Sequence, residues 1–411
     1  MATQSGPVPA RAAAGHSPTT SHSRISGVDG VRGLAIVLVV IEHAGFTHPW
    51  AGGSGGVTIF FVLSGFLITR LLITEHDRTG RISLPMFWMR RGVRLLPAMW
   101  VFLAVDAAVF ALVGPSFPGR DPISLSIPVL LYYANYAQLL GPTDYLSHTW
   151  SLAVEEQFYV VWPLLALVGL RVVPRRLLWV VLAVITGVGV AVRLHVGGQV
   201  PLDAHQTVVL TRSLQTNFLG LALGATLAAV LDRVRRVPRI PSLVALVAAV
   251  LLLDVIPYQL AVHHSPLYTR ATSSLWFAAA GVILLVSGLT AQRSWLTWPV
   301  LTYLGRRSYA WYLYHFPFVW AATHGGWAAD LGGLTTGNRN VDSLIGGALG
   351  LLAAEVSWRL VEQPANRVFR RWLAARRQVE PVEGASEILP VPASPHLPAP
   401  GPTPPAVTPV R

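Results

Sequence analysis

Long apolar runs separated by short arginine-bearing connections dominate the chain between residues 28 and 362. A helix of about 17–25 apolar residues crosses a hydrocarbon core about 30 Å thick. Ten runs reach that length, at 28–46, 57–73, 92–113, 153–170, 177–196, 212–231, 240–257, 271–290, 308–324 and 341–362. The pattern predicts an all-α, polytopic membrane helical bundle of about ten transmembrane helices. Residues 122–140 are apolar but interrupted by Pro122 and Pro128, which points to an interfacial or re-entrant stretch. No internal repeat is visible, which argues against an inverted-repeat transporter.

The arginines orient these spans. With a cytoplasmic N-terminus, Arg78, Arg81, Arg90 and Arg91 fall inside, as do Arg171, Arg175 and Arg176, then Arg233, Arg235, Arg236 and Arg239, then Arg293, Arg306 and Arg307. The opposite connections hold only Arg120, Arg270 and Arg339. This asymmetry follows the positive-inside rule and predicts that both termini are cytoplasmic. Residues 1–26 are rich in Ser, Ala and Pro and contain no short apolar segment followed by a cleavage site, so the first run is expected to be a retained span. Residues 27–372 form the expected membrane domain. Residues 373–411, Pro-rich and poor in large apolar side chains, are expected to be a disordered cytoplasmic tail.

Composition agrees. The 411 residues are 53% hydrophobic and 12% charged, against about 25% charged in a soluble domain; the mean hydropathy is +0.51. The net charge of +12 is carried by arginines scattered between spans, without any lysine, and this excludes a nucleic-acid-binding patch. The absence of cysteine excludes disulfides, thiolate catalysis and cysteine-ligated metals. The Gly-Gly-Ser-Gly-Gly segment at 52–56 joins two spans and reads as a flexible connector, not a nucleophile elbow. His263 and His264 lack the spacing and acidic neighbour of a zinc helix, so no metal is expected.

The first span carries ions at both ends, Asp29 and Arg32 at one and Glu42 and His43 at the other. Ionisable groups inside a membrane are costly and mark functional sites. Arg32 and His43 are eleven residues apart, nearly in phase on one helical face and about 16 Å apart along the axis. The topology places Arg32 toward the cytoplasm and His43 toward the exterior. Glu355 and Arg359, four residues apart, read as a structural pair, and Asp106 reads as an ion-pair partner.

Six segments, in order, resemble the acyltransferase-3 family of integral membrane acyltransferases. Residues 27–44 are similar to that family's first span, with Arg32 and His43 at its Arg and His positions. Residues 56–68 resemble its second span, with Thr58 where the family often has Asp. Residues 87–97 resemble its Arg-x-x-Arg segment at Arg91 and Arg94, and residues 148–159 its outer motif. Residues 305–317 and 361–364 resemble its late signatures.

The resemblance implies acyl transfer from an acyl-coenzyme A to a hydroxyl, commonly on a carbohydrate. Arg91, Arg94, Arg90 and Arg32 are then the expected phosphate-binding cations, since a guanidinium fork pairs two oxygens at once. His43 is the expected general base, helped by Arg32 and oriented by Glu155 from an equal membrane depth; Glu42 projects about 100° away. His148, Trp150, Ser151, Glu156 and Tyr159 are expected around the acceptor, with His148 and Ser151 at the mouth, and His315 is a further substrate-contact candidate. Ser308 and Tyr309 carry weaker signals. The competing reading makes Arg90, Arg91 and Arg94 topological anchors and pairs Arg32 with Asp29.

The expected protein is a bacterial inner-membrane enzyme moving an acyl group, foremost acetyl, from cytoplasmic acyl-CoA to a carbohydrate, glycolipid or glycosylated natural product such as a macrolide. Acyl-CoA is a co-substrate, and no cofactor is held tightly. Some family members carry an extracytoplasmic hydrolase-like domain. This chain is expected to lack one and to finish the transfer alone or with a separate partner. The alternatives are a transporter of lipid-linked sugars or acyl groups and a membrane scaffold presenting its Pro-rich tail.

Overall fold

A computed structural model describes residues 26–45, 55–113, 122–137, 145–198, 211–233, 239–263, 266–291, 294–324, 336 and 338–379. The helices are α1 (Ser26–His43), α2 (Gly55–Thr79), α3 (Leu84–Val113), α4 (Pro122–Leu130), α5 (Ala134–Ala137), α6 (Trp150–Val172), α7 (Leu178–Gly198) and α8 (Leu214–Arg233). They continue with α9 (Ser242–Val250), α10 (Ile256–His263), α11 (Pro266–Thr290), α12 (Pro299–His324), α13 (Arg339–Ser357) and α14 (Gln363–Val379). No strand occurs among the described residues, as the helical period of the apolar runs requires.

The ten predicted runs fall on these helices, the seventh on α9 and α10 joined by a π-helical turn at Leu251–Val255 and the tenth on α13 and a π-helical turn at Trp358–Glu362. Among the described residues, eight helices are long and apolar enough to cross a membrane. The α1 and α12 helices fall outside that group, and both carry several charges: Asp29, Arg32 and Glu42 on α1, Arg306 and Arg307 on α12. The broken stretch at 122–140 is two short helices, α4 and α5, with Tyr132 between them at φ 53°. Its residues 138–140 lie outside the described residues, as do 1–25, 52–54 of the glycine connector, His264 and 380–411. The α14 helix continues to Val379, past the predicted start of the tail at 373.

The charged α1 is buried because its neighbours come unusually close. A β-carbon at Gly33 would collide with the backbone of Leu301, and one at Gly305 with the backbone of Asp29. In lipid, where burial of apolar surface gives helices little net attraction, such small-residue contacts let backbones pack directly. The α1 helix is therefore held against α12, with α2 on another side. A comparable contact joins α2 to α8, where Gly224 meets Val62 and Gly65 meets Leu221. The described residues from Asn366 to Val379 belong to a second compact unit. Within it the rings of Phe369 and Trp372 stack at 5.7 Å, and Arg376 lies over Trp372.

Candidate functional site

Among the described residues, two neighbouring polar groups in the helical interior gather most of the expected site residues. The first lines a cavity bounded by α1, α2, α3, α6, α12 and the turn before α5. Its charged walls are Arg32, Arg91, Arg94, Glu155 and Glu156, and its hydroxyls come from Ser64, Tyr132, Ser151, Tyr159, Ser308, Tyr309 and Tyr312. The remaining wall includes Val57, Phe60, Phe61, Leu63 and Leu67 of α2. The site is thus a pocket with an apolar side and a few converging polar groups, the usual form of a small-molecule site.

Three guanidinium groups, those of Arg32, Arg91 and Arg94, face the same cavity. Among the described residues, Arg32 makes no hydrogen bond or ion pair, although it shares the cavity with Glu155 and Arg91. Arg91 lies over the ring of Tyr159, 4.7 Å from its centroid, and the backbone carbonyl of Tyr159 accepts from Trp88 Nε1 at 3.0 Å. This cation–ring contact holds the guanidinium without using its N–H donors. Glu155 accepts hydrogen bonds from Ser64 at 2.8 Å and Tyr159 at 3.2 Å, and Tyr159 also donates toward Ser64 at 2.9 Å. Tyr132 is pinned into the wall because Gln157 of α6 donates to its carbonyl at 2.9 Å and to Asn135 at 2.9 Å.

The second group is a set of histidines beyond the Tyr312 end of the cavity. His43 Nδ1 lies 3.1 Å from His315 Nε2 and 2.9 Å from the Val39 carbonyl. His315 Nδ1 faces the carbonyls of Tyr312 at 2.8 Å and Trp311 at 3.1 Å. His148 sits on a 3₁₀ turn, Ser147–Thr149, just before α6. Its Nε2 donates to the Leu313 carbonyl at 3.1 Å. Pro317 explains why that carbonyl is available: proline has no N–H for the carbonyl four residues earlier. Tyr312 connects the two groups. Its hydroxyl donates to the His148 carbonyl at 2.7 Å and accepts from Ser151 at 2.5 Å, while Tyr312 and Ser151 both line the cavity.

The structure redraws several expectations. It brings Arg32, Arg91, Arg94, Glu155, Glu156, Tyr159 and Ser151 to one cavity, while Arg90, about 100° round α3 from Arg91, is not on its lining. Arg32 is not paired with Asp29; Arg306 takes Asp29 instead, at 3.4 Å. Glu155 is bonded to Ser64 and Tyr159 and not to His43. Seven residues of α-helix and turn separate His148, at the His43 level, from Glu155, which places the carboxylate about 10 Å nearer the arginines. His148 and Ser151 do not form an open mouth, since they are 1% and 4% exposed. Trp150 turns its edge to Phe61 and lies off the cavity lining. His315 is fully buried with both ring nitrogens engaged, so it has no atom left for a substrate.

The other ionic expectations are clearer. Glu355 does pair with Arg359, at 2.5 Å, but also with Arg307, whose guanidinium is sandwiched near Tyr303 and Trp358. Asp106 accepts from the Tyr145 hydroxyl at 2.9 Å. Ser64, Tyr132 and Tyr312 are cavity residues that the sequence reading passed over. Ser64 is one of three hydroxyl residues in its apolar run, with Thr58 and Thr69, and the sequence alone does not single it out.

A family model described as an acyltransferase domain matches residues 25–356. The peptidoglycan O-acetyltransferase OatA of Listeria monocytogenes serovar 1/2a is 30% identical, over 85% of this chain and 57% of that protein. The O-acetyltransferase OatA of Staphylococcus aureus strain NCTC 8325 is also 30% identical, over 72% of this chain and 50% of that protein. The chain thus spans about half the length of the curated relatives it matches. No solved structure matches it.

Proposed function

The chain belongs to this acyltransferase family, and on that premise we propose that it is a multi-pass membrane O-acyltransferase. It takes an acetyl group from cytoplasmic acetyl-CoA and passes it to a hydroxyl of a cell-envelope carbohydrate or a related glycosylated acceptor. The relatives' names, which specify O-acetyl transfer and, for one, peptidoglycan, support the acyl group and the acceptor class. In this reading the bundle crosses a bacterial plasma membrane ten times, α1 and α12 included, with both termini cytoplasmic.

One observation carries the donor assignment: Arg32, Arg91 and Arg94 line a single cavity that also has an apolar wall. Phosphate and pyrophosphate are recognised by guanidinium forks, and a pantetheine arm fits an apolar channel. The arm then runs along α2 toward Ser151 and Tyr312, one hydrogen-bonded layer from His43. The acceptor oxygen attacks the thioester carbonyl carbon as its proton passes to His43 Nε2. Collapse of the tetrahedral intermediate breaks the carbon–sulfur bond, and the departing sulfur takes the proton. Glu155, fixed by Ser64 and Tyr159, sets the polar wall between the arginines and the reacting end and balances Arg32.

The test uses the purified full chain in lipid nanodiscs, acetyl-labelled acetyl-CoA and a muropeptide or simple sugar acceptor. Acceptor-dependent release of CoA, absent from His43→Ala, is the expected result. Release no greater than in His43→Ala, with or without acceptor, overturns the enzyme reading. A transporter of lipid-linked sugars or acyl groups would leave the thioester intact.

A further inference from the structure

The histidine contacts fix more than proximity. His315 Nδ1 faces two backbone carbonyls, Tyr312 at 2.8 Å and Trp311 at 3.1 Å, and carbonyls only accept. Nδ1 of His315 therefore carries the proton, and in the neutral ring Nε2 is the bare nitrogen. That bare nitrogen lies 3.1 Å from His43 Nδ1. His43 Nδ1 must then be the donor, a role its second neighbour, the Val39 carbonyl at 2.9 Å, also demands. The tautomer of His43 follows: Nδ1 protonated, Nε2 bare. Among the described residues, His43 Nε2 makes no hydrogen bond, so its lone pair is available.

The rings around the pair hold this arrangement in place. His148 meets His315 edge to face at 5.4 Å between centroids, and Phe316 meets the His43 ring edge-on at 4.7 Å. His148 is itself anchored to the carbonyl that Pro317 leaves free. A neutral imidazole thus sits where hydrolases place an acidic orienting residue. Glu155, the carboxylate in the neighbouring cavity, is engaged by Ser64 and Tyr159.

We propose that His315 is a positioning residue that holds His43 in the Nδ1–H tautomer and turns its Nε2 lone pair toward the acceptor hydroxyl. The proposal deepens the general-base reading given above and rests on it for its catalytic meaning. When Nε2 takes the acceptor proton, Nδ1–H remains bonded to His315 Nε2. The positive charge that forms is then met by an acceptor already in place, and no proton need leave His43 on the inner side.

The experiment reads the tautomer and the turnover separately. The full chain, labelled with ring-15N histidine in nanodiscs, is compared with His315→Leu and His315→Gln; His43→Gln identifies the His43 signals by their loss. The expected wild-type spectrum has a protonated Nδ1 and a bare Nε2 at His43. His315→Leu, lacking an acceptor, gives a mixture of tautomers. Its kcat falls by about 10- to 100-fold, the loss usual for an orienting partner, with the KM for acetyl-CoA unchanged. His315→Gln, whose Oε1 can accept, recovers the tautomer and most of the turnover.

A protonated Nε2 at His43 in the wild type overturns the proposal. So does a His315→Leu protein with wild-type tautomer and kcat. Should His315→Leu lose its thermal transition, His315→Gln decides alone: a retained Nδ1–H tautomer supports the proposal and a mixture overturns it. A His43→Ala protein with wild-type turnover would instead sink the general-base reading, while the spectra still judge the positioning contact.

Discussion

The guanidinium of Arg91 lies 4.7 Å over the ring of Tyr159, whose hydroxyl is shared with Ser64 and Glu155. One aromatic ring thus links the cationic end of the cavity to its carboxylate. Arg91→Ala is expected to weaken acetyl-CoA binding by about 10- to 100-fold, the value of a charge-assisted hydrogen bond of about 1.5–3 kcal/mol. The deficit shrinks as salt rises. Arg91→Lys recovers only part of the loss, because an ammonium has neither the fork nor the planar stack. Calorimetric titration in nanodiscs checks this, and unchanged affinity in both variants would remove the phosphate role.

His43 lies outside the cavity lining, so binding and turnover should separate there. His43→Ala is expected to lose about 10²–10⁴ in kcat, the usual contribution of a positioned base. Acetyl-CoA affinity should match the wild type. A parallel loss of affinity would place His43 in the donor site instead.

Glu155 should behave in the opposite sense toward the donor. Removing its charge beside Arg32 favours an anionic ligand, so Glu155→Gln is expected to bind free CoA at least as tightly as the wild type. Its turnover should fall by about tenfold or more, as for other orienting groups. Paired binding and rate measurements decide; weaker CoA binding at full turnover would contradict the assignment.

The packing of α1 on α12 predicts a stability contrast between two helical glycines. A β-carbon at Gly305 would collide with the backbone of Asp29, which cannot rotate away, whereas one at Gly169 meets nothing within 4 Å. Gly305→Ala is expected to cost about 1–3 kcal/mol and to lower the thermal midpoint in nanodiscs. Gly169→Ala should be neutral or stabilising by up to about 1 kcal/mol, from helix propensity alone. Equal midpoints for the two variants would refute the close approach.

The membrane architecture was legible in the chain because it depends on local quantities. Apolar length and period decide where helices run, so the ten runs could be assigned to helix before any contact was known, and eight of the described helices are long and apolar enough to cross a membrane. The grouping of Arg32, Arg91 and Arg94 was also foreseen, since a shared depth follows from residue counts along each span. Rotation about a helix axis and the identity of a partner depend on packing between helices, and there the sequence ran out. Only the tertiary structure gave Asp29 to Arg306, gave Glu155 to Ser64 and Tyr159, and brought His43 against His315 from a segment 272 residues away. The physical reason lies in the glycines of α1 and α12: backbone contact at Gly33 and Gly305 sets how that helix pair is rotated and spaced. That rotation turns His43 toward an imidazole and leaves Arg32 facing the cavity.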